Sequence, residues 1–258
     1  MKKIICLIIA VILSHSAIAQ SIVIGSGSSI EVGLGADICA GAVGNITGHL
    51  FGDGTECGNV IPKTLNLIAL IEGFYNGTSM VPDTVTVEFR SAVSPYSLIE
   101  HKKVSLNSSG AGVGKFTTVL NSSSYYLVVK HRNSIETWSG SGKSFVENQL
   151  SYDFTTASSQ AYGNNMKSKS GKWTIYSGDV NQDGTVDLSD EVAIINDILS
   201  FTVGSGLATD LNGDAQIDLS DIVIAINNAL AFVSKQTPMT LLMKEDWINS
   251  KENKVGLE

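Results

Sequence analysis

The chain has 258 residues and is acidic, with a formal net charge of −8 at pH 7. A nucleic-acid-binding protein needs a basic face for the phosphate backbone, so this charge argues against that class. Many of the acidic residues lie in one short segment near the C-terminus, where carboxylates repel each other unless a cation joins them. A bound metal ion is the simplest expectation for that segment.

The N-terminus has the pattern of a secretory signal peptide. Two lysines precede the apolar residues 4–13, and Ala17 and Ala19 are small residues at the cleavage positions, so we expect residues 1–19 to be removed. The apolar run is shorter than the ~20 residues that span a bilayer. We therefore expect a secreted or cell-surface protein without a membrane span, and a retained N-terminal anchor is the alternative.

Residues 20–62 are rich in Gly, Ser and Ala and contain Cys39 and Cys57. In an oxidising compartment an even pair of cysteines predicts a disulfide, worth about 3 kcal/mol in the chain-entropy model. A zinc site is the alternative, but two thiols with only His49 between them are poor zinc ligands. We expect a small strand-and-loop segment held by a Cys39–Cys57 disulfide.

Residues 63–176 are a succession of strand-like runs separated by turn residues. Residues 84–90 alternate apolar and polar side chains with period two, as a half-buried strand does. The spacing of the runs, with Asn, Gly, Ser and Pro between them, favours a β-sandwich of immunoglobulin-like type. Further predicted strands lie at 64–74, 96–104, 114–120, 125–131, 150–156 and 173–176.

Two copies of one acidic pattern follow within residues 177–235, offset by 31 residues. The first is Asp-Val-Asn-Gln-Asp-Gly-Thr-Val-Asp-Leu-Ser-Asp from Asp179, and the second is Asp-Leu-Asn-Gly-Asp-Ala-Gln-Ile-Asp-Leu-Ser-Asp from Asp210. Oxygen-bearing side chains occupy positions 1, 3, 5, 9 and 12, and position 7 offers its backbone carbonyl, as in a loop that binds calcium. A solvated acidic turn that caps a helix is the alternative, and the second copy in register argues against it.

Each loop leads into an amphipathic helix, and no helical pattern precedes the first loop. The apolar residues of the two helices repeat at the same offset, so we expect the helices to pack against each other. These residues are Val192, Ile195 and Leu199 in the first helix and Val223, Ile226 and Leu230 in the second.

A calcium loop followed by a helix, twice over, resembles the dockerin family. The whole chain also looks like modular bacterial surface proteins in which a β-sandwich precedes such a repeat. The resemblance implies a calcium-dependent module that docks onto cohesin modules of a scaffold, commonly on polysaccharide-degrading proteins. It implies two calcium ions, held by Asp179, Asn181, Asp183, Thr185, Asp187 and Asp190 and by Asp210, Asn212, Asp214, Gln216, Asp218 and Asp221.

The sequence departs from the family pattern in two ways. Ala215 stands at position 6 of the second loop, where glycine suits the positive φ of the turn, so strain of about 1 kcal/mol should weaken that site. Positions 10 and 11 are Leu-Ser in both copies. We expect the serines, Ser189 and Ser220, to contact a partner, and the leucines, Leu188 and Leu219, to pack inside the module.

No catalytic motif accompanies these features. A Gly-x-Ser-x-Gly elbow is absent, and His49, His101 and His131 have no companions at metal-ligand spacing. A glycosidase pair could be drawn only from acids on separate predicted strands, Glu72, Glu88, Glu100, Glu136 and Asp153. Four aromatic residues are candidates for stacking on sugars, with core packing preferred: Tyr125, Tyr126, Trp138 and Trp173.

The leading prediction is a secreted, non-enzymatic protein that attaches through calcium to a cohesin-like or other surface protein, in polysaccharide catabolism. One alternative is a structural surface protein in which the calcium module braces its own sandwich. A weaker alternative is a carbohydrate-active enzyme or a carbohydrate-binding protein. The predicted division is a signal peptide (1–19), a disulfide-held segment (20–62), a β-sandwich (63–176), a dockerin-like domain (177–235) and a loosely ordered tail (236–258).

Overall fold

A computed structural model describes residues 22–23, 29–38, 46–47, 49–56 and 59–238. The predicted signal peptide, Cys39 and Cys57, and residues 239–258 of the predicted tail lie outside the described residues. The chain divides into two compact units, residues 1–60 and 61–258.

The first unit is built from short strands that pair mainly in parallel. β1 pairs with β4, β2 with β5 and β3 with β6, all in parallel, and β7 adds to β6 in the antiparallel direction. These strands are β1 (Ile22–Val23), β2 (Ser29–Val32), β3 (Asp37–Ile38), β4 (Ile46–Thr47), β5 (His49–Gly52), β6 (Thr55–Glu56) and β7 (Asn59–Val60).

The second unit begins with a sandwich of two sheets. One is antiparallel with the order β10-β9-β12-β13, and the other has the order β11-β8-β14, with β14 parallel to β8. The strands are β8 (Lys63–Ile68), β9 (Asp83–Ser91), β10 (Leu98–Leu106), β11 (Ala111–Phe116), β12 (Tyr125–His131), β13 (Ser134–Trp138) and β14 (Gln149–Asp153).

The sandwich core lies between the two sheets because alternate residues of each strand point inward. β9 buries Val85, Val87 and Phe89 completely or nearly so. The Phe89 ring meets the Phe116 ring of the other sheet edge to face, with centroids 4.7 Å apart. Burial of each such side chain contributes about 1.5–3 kcal/mol, which is enough to fix the strand register.

The predicted run 125–131 coincides with β12, and the other predicted runs overlap observed strands. β13 was not predicted, because it follows β12 after the two residues Arg132 and Asn133, which lack the glycine of a common hairpin turn. After the sandwich come two short 3₁₀ helices (Ser158–Gln160 and Tyr162–Asn164) and a hairpin of β15 (Lys167–Lys169) and β16 (Lys172–Thr174).

Two helices of equal length complete the described chain, α1 (Leu188–Leu199) and α2 (Leu219–Leu230). Asp187 and Asp218 cap their N-termini, and each forms a capping box with the aspartate three residues later. The fold is therefore mainly β followed by a small helical module, as the sequence predicts.

The helices pack through a different face from the predicted one. Ile194, Ile222 and Ala225 are buried between them and against the loops, and Ile226 is only partly buried there. The predicted residues Val192, Leu199, Val223 and Leu230 are exposed, and Ile195 is exposed too. Both faces of these helices carry apolar residues, so periodicity alone does not identify the face that contacts the rest of the protein.

The helical module packs directly on the sandwich. Ile135 of β13 is buried with Val186 and Val233 in a small apolar cluster. The two parts also share a buried polar contact: the Asn228 side-chain amide donates to Oε2 of the buried Glu72 at 2.6 Å. Since buried polar groups need partners, this contact fixes how the two parts are oriented.

Candidate calcium site

Both predicted calcium loops are wound by hydrogen bonds from the backbone to their own side chains. Oδ1 of Asn181 accepts the N–H of Asp183 at 2.8 Å, and Oδ1 of Asp183 accepts the N–H of Thr185 at 2.9 Å. The second loop repeats both bonds 31 residues later, at 2.8 Å each. These bonds form two successive turns through positions 3 and 5, two of the positions that offer oxygen to a hard cation in a calcium loop.

The aspartate at position 12 ties each loop to its helix. Asp190 is fully buried, and its Oδ1 accepts the N–H groups of Val180 and Asn181 at 2.8 and 3.0 Å. Its Oδ2 accepts the N–H of Asp187 at 3.0 Å. Asp221 makes the equivalent bonds in the second loop, at 2.8, 3.1 and 2.9 Å. Burial raises the pKa of both carboxyl groups above the ordinary value.

A buried oxygen without a hydrogen-bond donor shows that the first loop fits a cation. Asp179 is 1% exposed, and its Oδ1 has no hydrogen-bond partner. Burial, together with the charges of Asp190 and Asp183, raises the pKa of Asp179 to about 7. A buried carboxylate beside two others is costly unless a cation offsets it. Calcium bound there would supply the missing positive charge.

The carboxylates alone do not form a complete site. Among the residues that the structure describes, no three Asp, Glu, His or Cys side chains are placed to hold a metal ion by themselves. A calcium loop also uses amide and carbonyl oxygens. In these loops they belong to Asn181 and Thr185 and to Asn212 and Gln216.

Position 9 has a second role in each loop. Asp187 and Asp218 cap the helices, and each Oδ1 accepts the N–H of the serine two residues later, at 2.8 and 2.7 Å. Hydrogen bonds from the hydroxyl and from the N–H of Ser189 and of Ser220 lower the pKa of these carboxyl groups.

The second loop contains the expected backbone strain. Ala215 has a φ of 67°, in the left-handed region that favours glycine. Its N–H donates to Oδ2 of Asp210 at 3.1 Å, and the N–H of Gly213 donates to Oδ1 at 2.7 Å. The first loop is strained as well, because Gln182 at its position 4 has a φ of 61° where the second loop has Gly213.

The residues at positions 10 and 11 lie on the surface. Leu188 and Leu219 are 68% and 72% exposed, so the prediction that they pack inside the module is wrong. Ser189 and Ser220 are exposed as well, but their hydroxyls donate to the Oδ1 atoms of Asp187 and Asp218, both at 2.7 Å. The leucine side chains are therefore available to a partner, whereas the serine hydroxyls are hydrogen-bonded to the loops.

A duplicated apolar surface continues from these leucines along the helices. Its eight residues are exposed and occupy equivalent positions in the two copies. Phe201 and Phe232, just after the helices, are each 88% exposed and have φ values of 52° and 54°. The docking surface, as we name it, consists of Leu188, Val192, Leu199 and Phe201 and of Leu219, Val223, Leu230 and Phe232. The 31-residue repeat of apolar residues was the sequence signal for it.

The other candidate residues have structural partners. Each acid considered for a glycosidase pair accepts a hydrogen bond in the structure. Tyr125 and Trp138 are buried, Trp173 packs on the sandwich core, and Tyr126 is half-buried against Trp138. His49 and His101 are exposed, whereas His131 is buried at 3%.

Of the helices formed by the described residues, none has the length and apolar character of a membrane span. Residues 177–237 match the family model of the dockerin type I domain, and no curated protein matches the chain. Dockerin type I domains bind calcium, are not catalytic, and attach proteins to cohesins; they typically occur in extracellular or cell-surface proteins. The C-terminal part of this chain, residues 177–237, is a dockerin type I domain.

Proposed function

We propose that this is a secreted, non-enzymatic protein that binds two calcium ions and attaches through its dockerin domain to a cohesin-type partner. The proposed domains are those predicted from the sequence, with the dockerin at 177–235. The proposed ligands are the oxygens of Asp179, Asn181, Asp183, Asp187 and Asp190 with the carbonyl of Thr185, and of Asp210, Asn212, Asp214, Asp218 and Asp221 with the carbonyl of Gln216.

The observation that carries the proposal is the docking surface. Soluble proteins rarely expose contiguous apolar surface of this kind unless it binds something. Leu188 and Leu219 follow directly after the proposed ligands Asp187 and Asp218, so the calcium loops set the start of each helix that displays it. Calcium would therefore order the surface, and removal of calcium would release the partner.

Capture by immobilised cohesin modules tests the docking surface. The variant Leu188→Asp with Leu219→Asp places a charge in each copy of it. Val146→Asp is the matched control, because Val146 is 71% exposed but lies in the sandwich. We expect capture of wild type and control in calcium, and loss of capture for the double variant and for wild type in EGTA. Equal capture of the double variant and the control would refute the proposed surface.

Leucine variants are a cleaner probe than serine variants. Asn181 donates to the hydroxyl of Ser189 at 2.7 Å, and Asn212 to that of Ser220 at 2.8 Å. Aspartate at either serine would add a charge beside two proposed calcium ligands. We still propose that both serines contact the partner, as neighbours of the exposed leucines.

We further propose that the protein is exported with a Cys39–Cys57 disulfide and serves polysaccharide catabolism at the cell surface. The signal-peptide pattern and the even cysteine pair support export. Intact-mass measurement of the exported protein without reductant tests both points. It should show a chain that begins at Gln20 and has no free thiol, and a free thiol on most molecules would contradict the disulfide.

A second candidate function is an internal brace, favoured by the buried contact of Asn228 with Glu72. In that function calcium stabilises the sandwich as well as the dockerin. Differential scanning calorimetry of the full chain distinguishes the two: a brace predicts that EGTA lowers the melting temperature of the sandwich. If EGTA leaves the melting temperature of the sandwich unchanged, the brace is refuted and attachment remains as the proposed function.

A further inference from the structure

The second calcium loop contacts the turn that joins β12 to β13. Arg132 Nε donates to the carbonyl of Leu207 at 3.0 Å, just before the loop. The Asn133 side-chain amide donates to the carbonyl of Asp210, the first residue of the loop, at 2.7 Å. Asn133 is fully buried, so this bond is shielded from water.

A second part of the sandwich closes on the same loop. A Cβ atom at Gly73 would lie 1.9 Å from the carbonyl oxygen of Leu211, so only glycine allows this approach. A Cβ at Gly213 would lie 3.1 Å from the Phe74 ring. The sandwich thus covers positions 2 and 4 of the second loop.

The first loop contacts the sandwich at its position 8, where Val186 is buried with Ile135 of β13. Its residues at positions 3 to 5 are exposed, and the hydrogen bond from the Gln182 side-chain amide to the Ser134 carbonyl is long, at 3.4 Å. Asn133 does contact the entry to this loop, because its backbone carbonyl accepts the N–H of Gly178 at 2.7 Å. Its side chain, however, is directed to the second loop.

The Asn133 amide is held in the required orientation. Its Oδ1 lies 2.9 Å from Nδ1 of His131 and 3.3 Å from the hydroxyl of Ser134. The Ser134 hydroxyl donates to that oxygen, so the amide nitrogen faces Asp210. His131 is itself fixed by packing edge to face on Phe74, at 5.1 Å between centroids.

We propose that the sandwich completes the second calcium site, with Asn133 as the positioning residue for Asp210. The bond from Asn133 to the Asp210 carbonyl fixes the backbone of the residue that carries the first proposed ligand of this loop. By linkage, calcium in this loop stabilises the β12–β13 turn. The inference rests on calcium binding, one part of the proposed function, and is independent of the partner.

Calcium titration calorimetry of the full chain tests the inference with Asn133→Ala. Asn121→Ala is the matched control, because the Asn121 amide donates to Oδ1 of Asn148 at 2.7 Å within the sandwich. We expect Asn133→Ala to weaken one of the two calcium steps by about tenfold, as loss of a buried hydrogen bond predicts, and to spare the other step. Asn121→Ala should leave both steps unchanged.

Each other outcome is decisive. Two unchanged calcium steps in Asn133→Ala, or an equal loss in both variants, overturn the positioning role. If wild type binds no calcium, the proposed function fails together with the inference. Hydrogen exchange of wild type needs no variant: calcium should protect the amides around Asn133 more than those of the distant β10–β11 hairpin. Equal protection of both regions overturns the inference.

Discussion

Alanine at position 73 would place its Cβ atom 1.9 Å from the carbonyl oxygen of Leu211. A backbone oxygen cannot rotate away as a flexible side chain can, so the sandwich and the second calcium loop must separate. We expect Gly73→Ala to lower the free energy of unfolding by about 3 kcal/mol, the upper part of the range for overpacking. For a chain of this size that penalty lowers the melting temperature by about 6–12 °C.

Differential scanning calorimetry of the full chain in saturating calcium measures the effect. Gly171→Ala is the control, because a Cβ there meets nothing within 4 Å and only the φ of +77° opposes it. That strain costs about 1 kcal/mol, or about 2–4 °C. A fall for Gly73→Ala no larger than that of the control would refute the close contact between sandwich and loop.

Three other measurements follow from the structure. Ala215→Gly should tighten one of the two calcium steps about fivefold in calorimetry, because it relieves about 1 kcal/mol of strain in the second loop; two unchanged affinities would contradict this. At calcium concentrations 100 times Kd, each occupied site should stabilise the chain by about 2.7 kcal/mol relative to EGTA, and an unchanged melting temperature would refute calcium binding. Burial acts to raise the pKa of Asp83, but hydrogen bonds from His131 and Arg132 hold it well below its ordinary value of 3.8. Its stabilising contribution is therefore present above about pH 4 and lost as the pH falls further. In denaturant titrations the free energy of unfolding of Asp83→Asn should fall less steeply with acid than that of wild type. An identical pH dependence would contradict this role of Asp83.

The sequence by itself determined the local features. The two loops are recognisable because calcium ligation requires oxygens at fixed spacing within twelve residues, and Asp187 and Asp218 cap the following helices for equally local reasons. Alternation likewise identified β9, whose inward residues Val85, Val87 and Phe89 meet one core. It did not identify β13, because the turn at Arg132 and Asn133 lacks the glycine of a common hairpin turn.

Only the tertiary structure decided which surfaces are covered. Apolar residues occur on both faces of α1 and α2, and the face that packs is set by contacts with the other helix and with loop residues such as Leu211 and Ile217. That choice exposes Leu188 and Leu219 and thereby creates the docking surface. The bond from Asn133 to Asp210 joins residues far apart in sequence. No local pattern encodes such a contact, because it arises from the packing of two separately formed parts.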